Sequence, residues 1–90
     1  MSDREEIQEL MARYGYAIDL KDYAALVDCF TPDATALYPA KPEPVTGATA
    51  IVDVMKVVLE RLDATAHNFS NFIIEVNGDT ARMRANIIAQ

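Results

Sequence analysis

The chain has one cysteine, one histidine and no tryptophan in its ninety residues, and each shortage removes a class of explanation. Cys29 alone can form neither an internal disulfide nor a cysteine-based metal cluster. His67 with scattered acids lacks the grouped ligands of a zinc site, so no metal is expected. No run of about 18 apolar residues is present to span a membrane. The start, Met1-Ser2-Asp3-Arg4-Glu5-Glu6, lacks the basic segment and apolar stretch of a secretory signal. These absences predict a cytoplasmic protein with no membrane partner. Positive charge is also scarce. Eight Lys and Arg face fourteen Asp and Glu, for a net charge of −6, and the basic residues are scattered, with Arg82 and Arg84 the nearest approach to a cluster. Nucleic-acid binding needs clustered cations to neutralise phosphates, so none is expected. Neither a Gly-rich phosphate loop nor a nucleophile elbow occurs, and no cofactor is expected.

What is present fits one globular domain with a modest core: half the residues are hydrophobic and a quarter charged. Ser2-x-x-Glu5 is a capping box signature. Ile7, Leu10, Met11, Tyr14, Ala17 and Ile18 then recur at helical spacing, which predicts a first helix over residues 3–20. Asp22 reads as the N-cap of a short second helix carrying Tyr23, Leu26, Val27 and Phe30, so the two helices fill residues 3–30. Thr31-Pro32-Asp33 stops it, because the residue before proline avoids helix. Residues 34–38 suggest a short strand, and Pro39, Pro42 and Pro44 make 39–47 a loop. A third helix over 48–63 presents Ile51, Val54, Met55, Val58, Leu59 and Leu62 on one face. Residues 65–89 read as a hairpin of two long strands around Asn77-Gly78. The order is α-α-β-α-β-β, an α+β fold. The chain stops in apolar strand sequence at Ile87-Ile88-Ala89-Gln90, and a bare apolar strand invites pairing. A missing C-terminal portion is the favoured expectation, with a covering partner subunit the alternative.

Two residues stand out chemically. Met11, Gly15 and Asp19 lie four apart and form one helix row beside the apolar face. Gly15 costs about 1 kcal/mol in a helix interior relative to alanine, and a return for that cost is space beside Asp19 for a side chain or a ligand. A carboxylate on such a row would be desolvated and would want a partner. The only imidazole available is His67, in Thr65-Ala66-His67-Asn68-Phe69-Ser70-Asn71. Strand alternation puts His67 on one face with Phe69, Asn71 and Ile73. Imidazole titrates near pH ~6.5, so an Asp19–His67 pair suits general acid–base catalysis, with the Tyr14 hydroxyl polarising a carbonyl. The plainer alternatives are a helix-corner bridge for Asp19 and core positions for His67 and Tyr14. Cys29 reads as a buried small residue.

Helix one, the Asp19-Leu20-Lys21-Asp22-Tyr23 corner, the Phe30-Thr31-Pro32-Asp33 stop, the third helix and the His67-to-Asn71 strand follow one another in an order that resembles the SnoaL-like branch of the nuclear transport factor 2-like superfamily, to which scytalone dehydratase also belongs. The resemblance spans nearly all of the chain and implies one SnoaL-like domain over residues 1–90. It implies a cone of curved antiparallel sheet closed by three helices around an apolar pocket, with further strands after the hairpin. Asp19, in the family's Asp-x-Lys-Asp-aromatic motif, and His67 match site positions. A second site histidine of scytalone dehydratase would fall near or beyond Gln90, and none follows His67 in this sequence. The implied activity is a cofactor-independent dehydratase or isomerase acting on a small hydrophobic cyclic molecule. His67, Asp19 and Tyr14 are then the candidate catalytic residues, and Asn71, Phe69, Tyr16, Tyr38 and Met55 the candidate substrate-binding residues. A ligand-binding module without turnover and a structural dimerisation subunit are the alternatives. The family habit implies a homodimer.

Overall fold

A computed structural model describes residues 2–89. Helix α1 spans Asp3–Asp19 and starts on the expected capping box, in which the Ser2 hydroxyl accepts from the Glu5 amide and the Glu5 carboxylate accepts from the Ser2 amide. Its buried face is Gly15, Ala17 and Ile18. Leu10, expected on that face, is 41% exposed. The helix ends in a Schellman pattern: the Asp22 amide donates to the Ala17 carbonyl and the Lys21 amide to the Ile18 carbonyl. The residue after the C-cap in this motif takes the left-handed conformation, and here it is Lys21 at φ 53. A side chain in that region costs roughly 1–2 kcal/mol, and glycine is the usual occupant.

Asp22 then caps α2, Tyr23–Asp28, by accepting from the Ala25 amide. The helix stops two residues before Phe30, earlier than its apolar pattern predicts. Leu26, fully buried on α2, joins Ala17 and Ile18 of α1 and two residues of the third helix in the core. Strands β1 (Thr35–Ala36) and β2 (Val45–Thr46) pair antiparallel. β2 lies in the stretch expected to be loop. Two residues between Pro44 and Gly47 are too few to show the strand period of two, so the element order gains a strand.

Helix α3 runs over Ala48–Leu59, four residues short of the expected end. Its buried stripe is Ala48, Ile51, Val52 and Leu59, while Val58 and Leu62 are 55% and 42% exposed. The buried stripe is therefore rotated toward Val52 and away from Val58. Among the described residues no helix is long and apolar enough to cross a membrane.

β3 (His67–Asn77) and β4 (Thr80–Ala89) form the predicted hairpin. Asn77 pairs with Thr80, so the two-residue loop is Gly78-Asp79 instead of Asn77-Gly78. Gly78 has φ 58, which suits the first loop position of a type II′ turn. Within β3 the register shifts: Ser70 pairs with Asn86 but Ile73 with Arg84. Asn71 and Phe72 thus oppose Ala85 alone, a β-bulge with Asn71 at φ 56. The bulge reverses the strand phase. His67 and Phe69 face inward before it, and Phe72, Ile74 and Val76 after it, leaving Asn71 and Ile73 exposed.

The bulge sets a sign for substitutions. Asn71→Gly should hold or slightly raise the melting temperature, because glycine enters the left-handed region without strain. Asn71→Val should lower stability by roughly 1–2 kcal/mol, measured by urea denaturation.

Candidate active site: a carboxylate–imidazole pair between helix and strand

The last residue of α1 and the first residue of β3 meet. Asp19 Oδ1 lies 2.6 Å from His67 Nδ1. Asp19 Oδ2 accepts from the His67 backbone amide at 3.0 Å, and Oδ1 also accepts from the Thr65 hydroxyl at 2.8 Å. One carboxylate at the end of the helix therefore receives the strand's first amide and orients the imidazole. The two side chains are 22% and 17% exposed respectively.

These contacts fix the chemistry of each group. Burial raises the Asp19 pKa, but the hydrogen bonds from the His67 ring, the His67 amide and the Thr65 hydroxyl outweigh it and hold the carboxyl below its ordinary value. An ionised carboxylate only accepts hydrogen bonds, so His67 Nδ1 carries a proton. Nε2 is the nitrogen left for a ligand.

The pair borders a cleft of about 410 Å³ between α1 and β3, within the size range of small-molecule sites. From α1 come Gln8, Ala12, Gly15, Tyr16 and Asp19; from β3 and its approach come Ala66, His67, Asn68, Phe69 and Phe72. Gly15 has the role of making room, and the occupant of that room is Phe69. A Cβ at position 15 would sit 3.0 Å from Phe69 Cε2 and 3.7 Å from the His67 carbonyl. The missing side chain thus lets β3 approach α1 closely enough for Asp19 to reach His67.

Four expected site residues, Asp19, His67, Tyr16 and Phe69, line this cleft, and four do not. The Tyr14 ring is edge-on to Phe30 at 6.0 Å between centroids and tilted against Phe69 at 6.1 Å, backing the cleft wall without lining the cleft. Burial, with Tyr38 and Cys29 nearby, raises the Tyr14 hydroxyl pKa and keeps it protonated. Asn71 is turned to solvent by the bulge. Tyr38 sits in the proline-rich loop beside Leu37 and Pro39, and Met55 packs on the core. Cys29 is half-buried, with its thiol directed to the Ala25 carbonyl. Gln8 and Ala12 were legible as the continuation of the Asp19 helix row at a spacing of three to four, one position over from Met11. Phe72 was not, since only the bulge brings it inward. Among the described residues no three His, Cys, Asp or Glu are placed to hold a metal ion.

Asp19 gives this geometry a pH signature. Its folded-state pKa is lowered, so its stabilising effect is complete above the ordinary value of 3.8 and is lost as pH falls through the folded-state value. Asp19→Asn should cost about 1–3 kcal/mol at neutral pH, the usual value of hydrogen bonds to a charged group. The gap to the parent should close as pH falls below the ordinary carboxylate value. Chemical denaturation of both proteins at pH 7 and pH 3 measures the difference.

Known proteins share this arrangement of elements. A SnoaL-like domain model matches residues 1–90. Uncharacterised proteins from Mycobacterium tuberculosis and Mycobacterium bovis are 38% identical over 84 residues, which is 93% of this chain and 57% of theirs. The chain thus spans little more than half the length of these curated relatives. A crystal structure from Novosphingobium aromaticivorans, provisionally described as an aromatic ring hydroxylase, superposes with a TM-score of 0.85 at 37% identity, over 97% of this chain and 63% of that one. A second protein from that organism, provisionally described as a scytalone dehydratase, superposes with a TM-score of 0.85 at 25% identity, over 97% of this chain and 58% of that one. A dehydratase-like member of the NTF2-like family from Streptomyces avermitilis, at 15% identity and a TM-score of 0.82 over 97% of this chain and 66% of that one, shares the fold. The α+β architecture of three helices and antiparallel strands is that of these NTF2-like neighbours, and the chain belongs to the SnoaL-like family of that superfamily.

Proposed function

We propose that this chain carries the acid–base pair of a cofactor-independent lyase or isomerase acting on a small hydrophobic cyclic substrate. The observation that carries the reading is the 2.6 Å contact between Asp19 and His67 Nδ1 at the edge of a cleft. The carboxylate holds the proton on Nδ1, so in the neutral ring Nε2 presents the lone pair. In a dehydration, Nε2 takes a proton from the carbon beside a carbonyl, the C–H electrons form the C=C bond, and the hydroxyl leaves as water with the proton returned by the imidazolium. In an isomerisation the same proton returns to a different carbon. Asp19 stays ionised throughout and stabilises the transient imidazolium. Phe69, Phe72 and the Tyr16 ring supply apolar walls suited to a ring. The Novosphingobium neighbour provisionally described as an aromatic ring hydroxylase supports a cyclic substrate, and the one provisionally described as a scytalone dehydratase supports dehydration. On this reading the protein is cytoplasmic and homodimeric.

The second reading is a binding module without turnover, in which the cleft walled by Phe69, Phe72 and Tyr16 holds a small apolar ligand without transforming it. The two readings separate in one experiment. Small cyclic hydroxy-carbonyl compounds are screened for turnover, and His67→Ala is then compared with the parent on any active compound. Proton transfer by His67 predicts a loss of at least ~10²-fold in kcat/KM with unchanged circular dichroism. Equal turnover by the variant contradicts it. A ligand that raises the melting temperature of the parent with no conversion establishes the binding reading.

A further inference from the structure

In the Asp19-Leu20-Lys21-Asp22-Tyr23 corner, the proposed chemistry uses only Asp19. Asp22 is spent as the α2 cap, and the Tyr23 hydroxyl donates to Glu60 beyond the end of α3. Lys21 is the residue without an explanation. It holds the left-handed position of the Schellman motif at φ 53, where glycine fits and a side chain is strained. Helix termination alone therefore does not call for lysine. Its ammonium reaches across to the carbonyl of Leu62, forty-one residues away in sequence.

That carbonyl belongs to the segment leaving α3, where the Arg61 and Leu62 amides close the last turns onto Val58 and Leu59. A cation at this end also meets the negative pole of the helix. Three residues further on, Thr65 donates to Asp19, and His67 follows with its amide and ring on the same carboxylate. Lys21 and Asp19, two apart on the corner, thus grip Leu62 and Thr65, three apart on the linker. Each contact shortens the range over which the linker can move when the other forms.

We propose that Lys21 is a positioning residue: its ammonium anchors the α3–β3 linker at Leu62 so that Thr65 and His67 arrive at Asp19. The proposal gives the strained lysine its purpose, since glycine would relieve the turn and release the linker. It rests on the reading of Asp19 and His67 as the site, but its test reads the contact itself and not turnover, so a catalytically silent protein would leave it standing.

His67 is the only histidine, so its ring signals in a proton–nitrogen NMR spectrum are assigned without ambiguity. In the parent, the Nδ1 proton on Asp19 should give a downfield, slowly exchanging resonance, and the His67 amide should be protected. Lys21→Gly and Lys21→Met should broaden or lose that resonance and speed exchange of the His67 amide at least about tenfold. Amides in the middle of β4, such as Met83, should keep their protection in both variants. Lys21→Arg, which keeps a cation on a long stem, should restore the ring signal. A parent-like His67 signal and amide protection in Lys21→Met overturn the proposal. Equal loss of protection at His67 and Met83 in both variants overturns it too, since the lysine would then serve global stability alone.

Discussion

The Asp19 carboxylate ties the end of a helix to the beginning of a strand. Three donors converge on two oxygens: a hydroxyl, a backbone amide and a ring N–H. The amide and ring come from one residue, so the same carboxylate fixes where β3 starts and how its first side chain is turned. The structural and the chemical assignments of Asp19 are therefore one assignment. Removing its charge would loosen the register of β3 against α1 and leave the imidazole free to choose its proton.

Among the described residues two non-glycine residues sit in the left-handed region, and both flank this tie. Lys21 turns the chain out of α1 two residues after Asp19, and Asn71 bulges β3 four residues after His67. Strain of this kind persists where the surroundings over-determine the conformation. The first position sends a cation to the linker that delivers His67. The second swaps the strand phase, so that Phe72 lines the cleft where alternation would have placed Asn71. Gly15 completes the set by omitting a side chain where Phe69 needs the space. Backbone geometry, more than the choice of polar groups, shapes the cleft.

Much of this was legible in the chain. The capping box at Ser2, the Asp22 cap, the proline stop and the hairpin each rest on local rules, and the structure follows them to within a few residues. The Asp19–His67 pairing was legible too, because a carboxylate on the row beside the apolar face of α1 wants a partner and the chain offers one imidazole. The errors have a common cause. Asn71 and Ile73 were placed inward by counting twos along β3, and a bulge is invisible to that count. Val58 and Leu62 were placed in the core by helical spacing, but α3 ends at Leu59 and turns a stripe with Val52 inward. Tyr14 was expected at the reacting atoms; its position on α1 was read correctly, but its ring is spent on Phe30 and Phe69. The β2 strand is too short to carry a pattern.

Asp19 holds the proton of His67 on Nδ1 and leaves Nε2 free. Nitrogen-15 chemical shifts of the His67 ring, measured in the intact protein at a pH where the ring is neutral, test it directly. A protonated Nδ1 and an unprotonated Nε2 are expected. The opposite tautomer, with the proton on Nε2, would contradict it, because two acceptors do not hold each other at 2.6 Å.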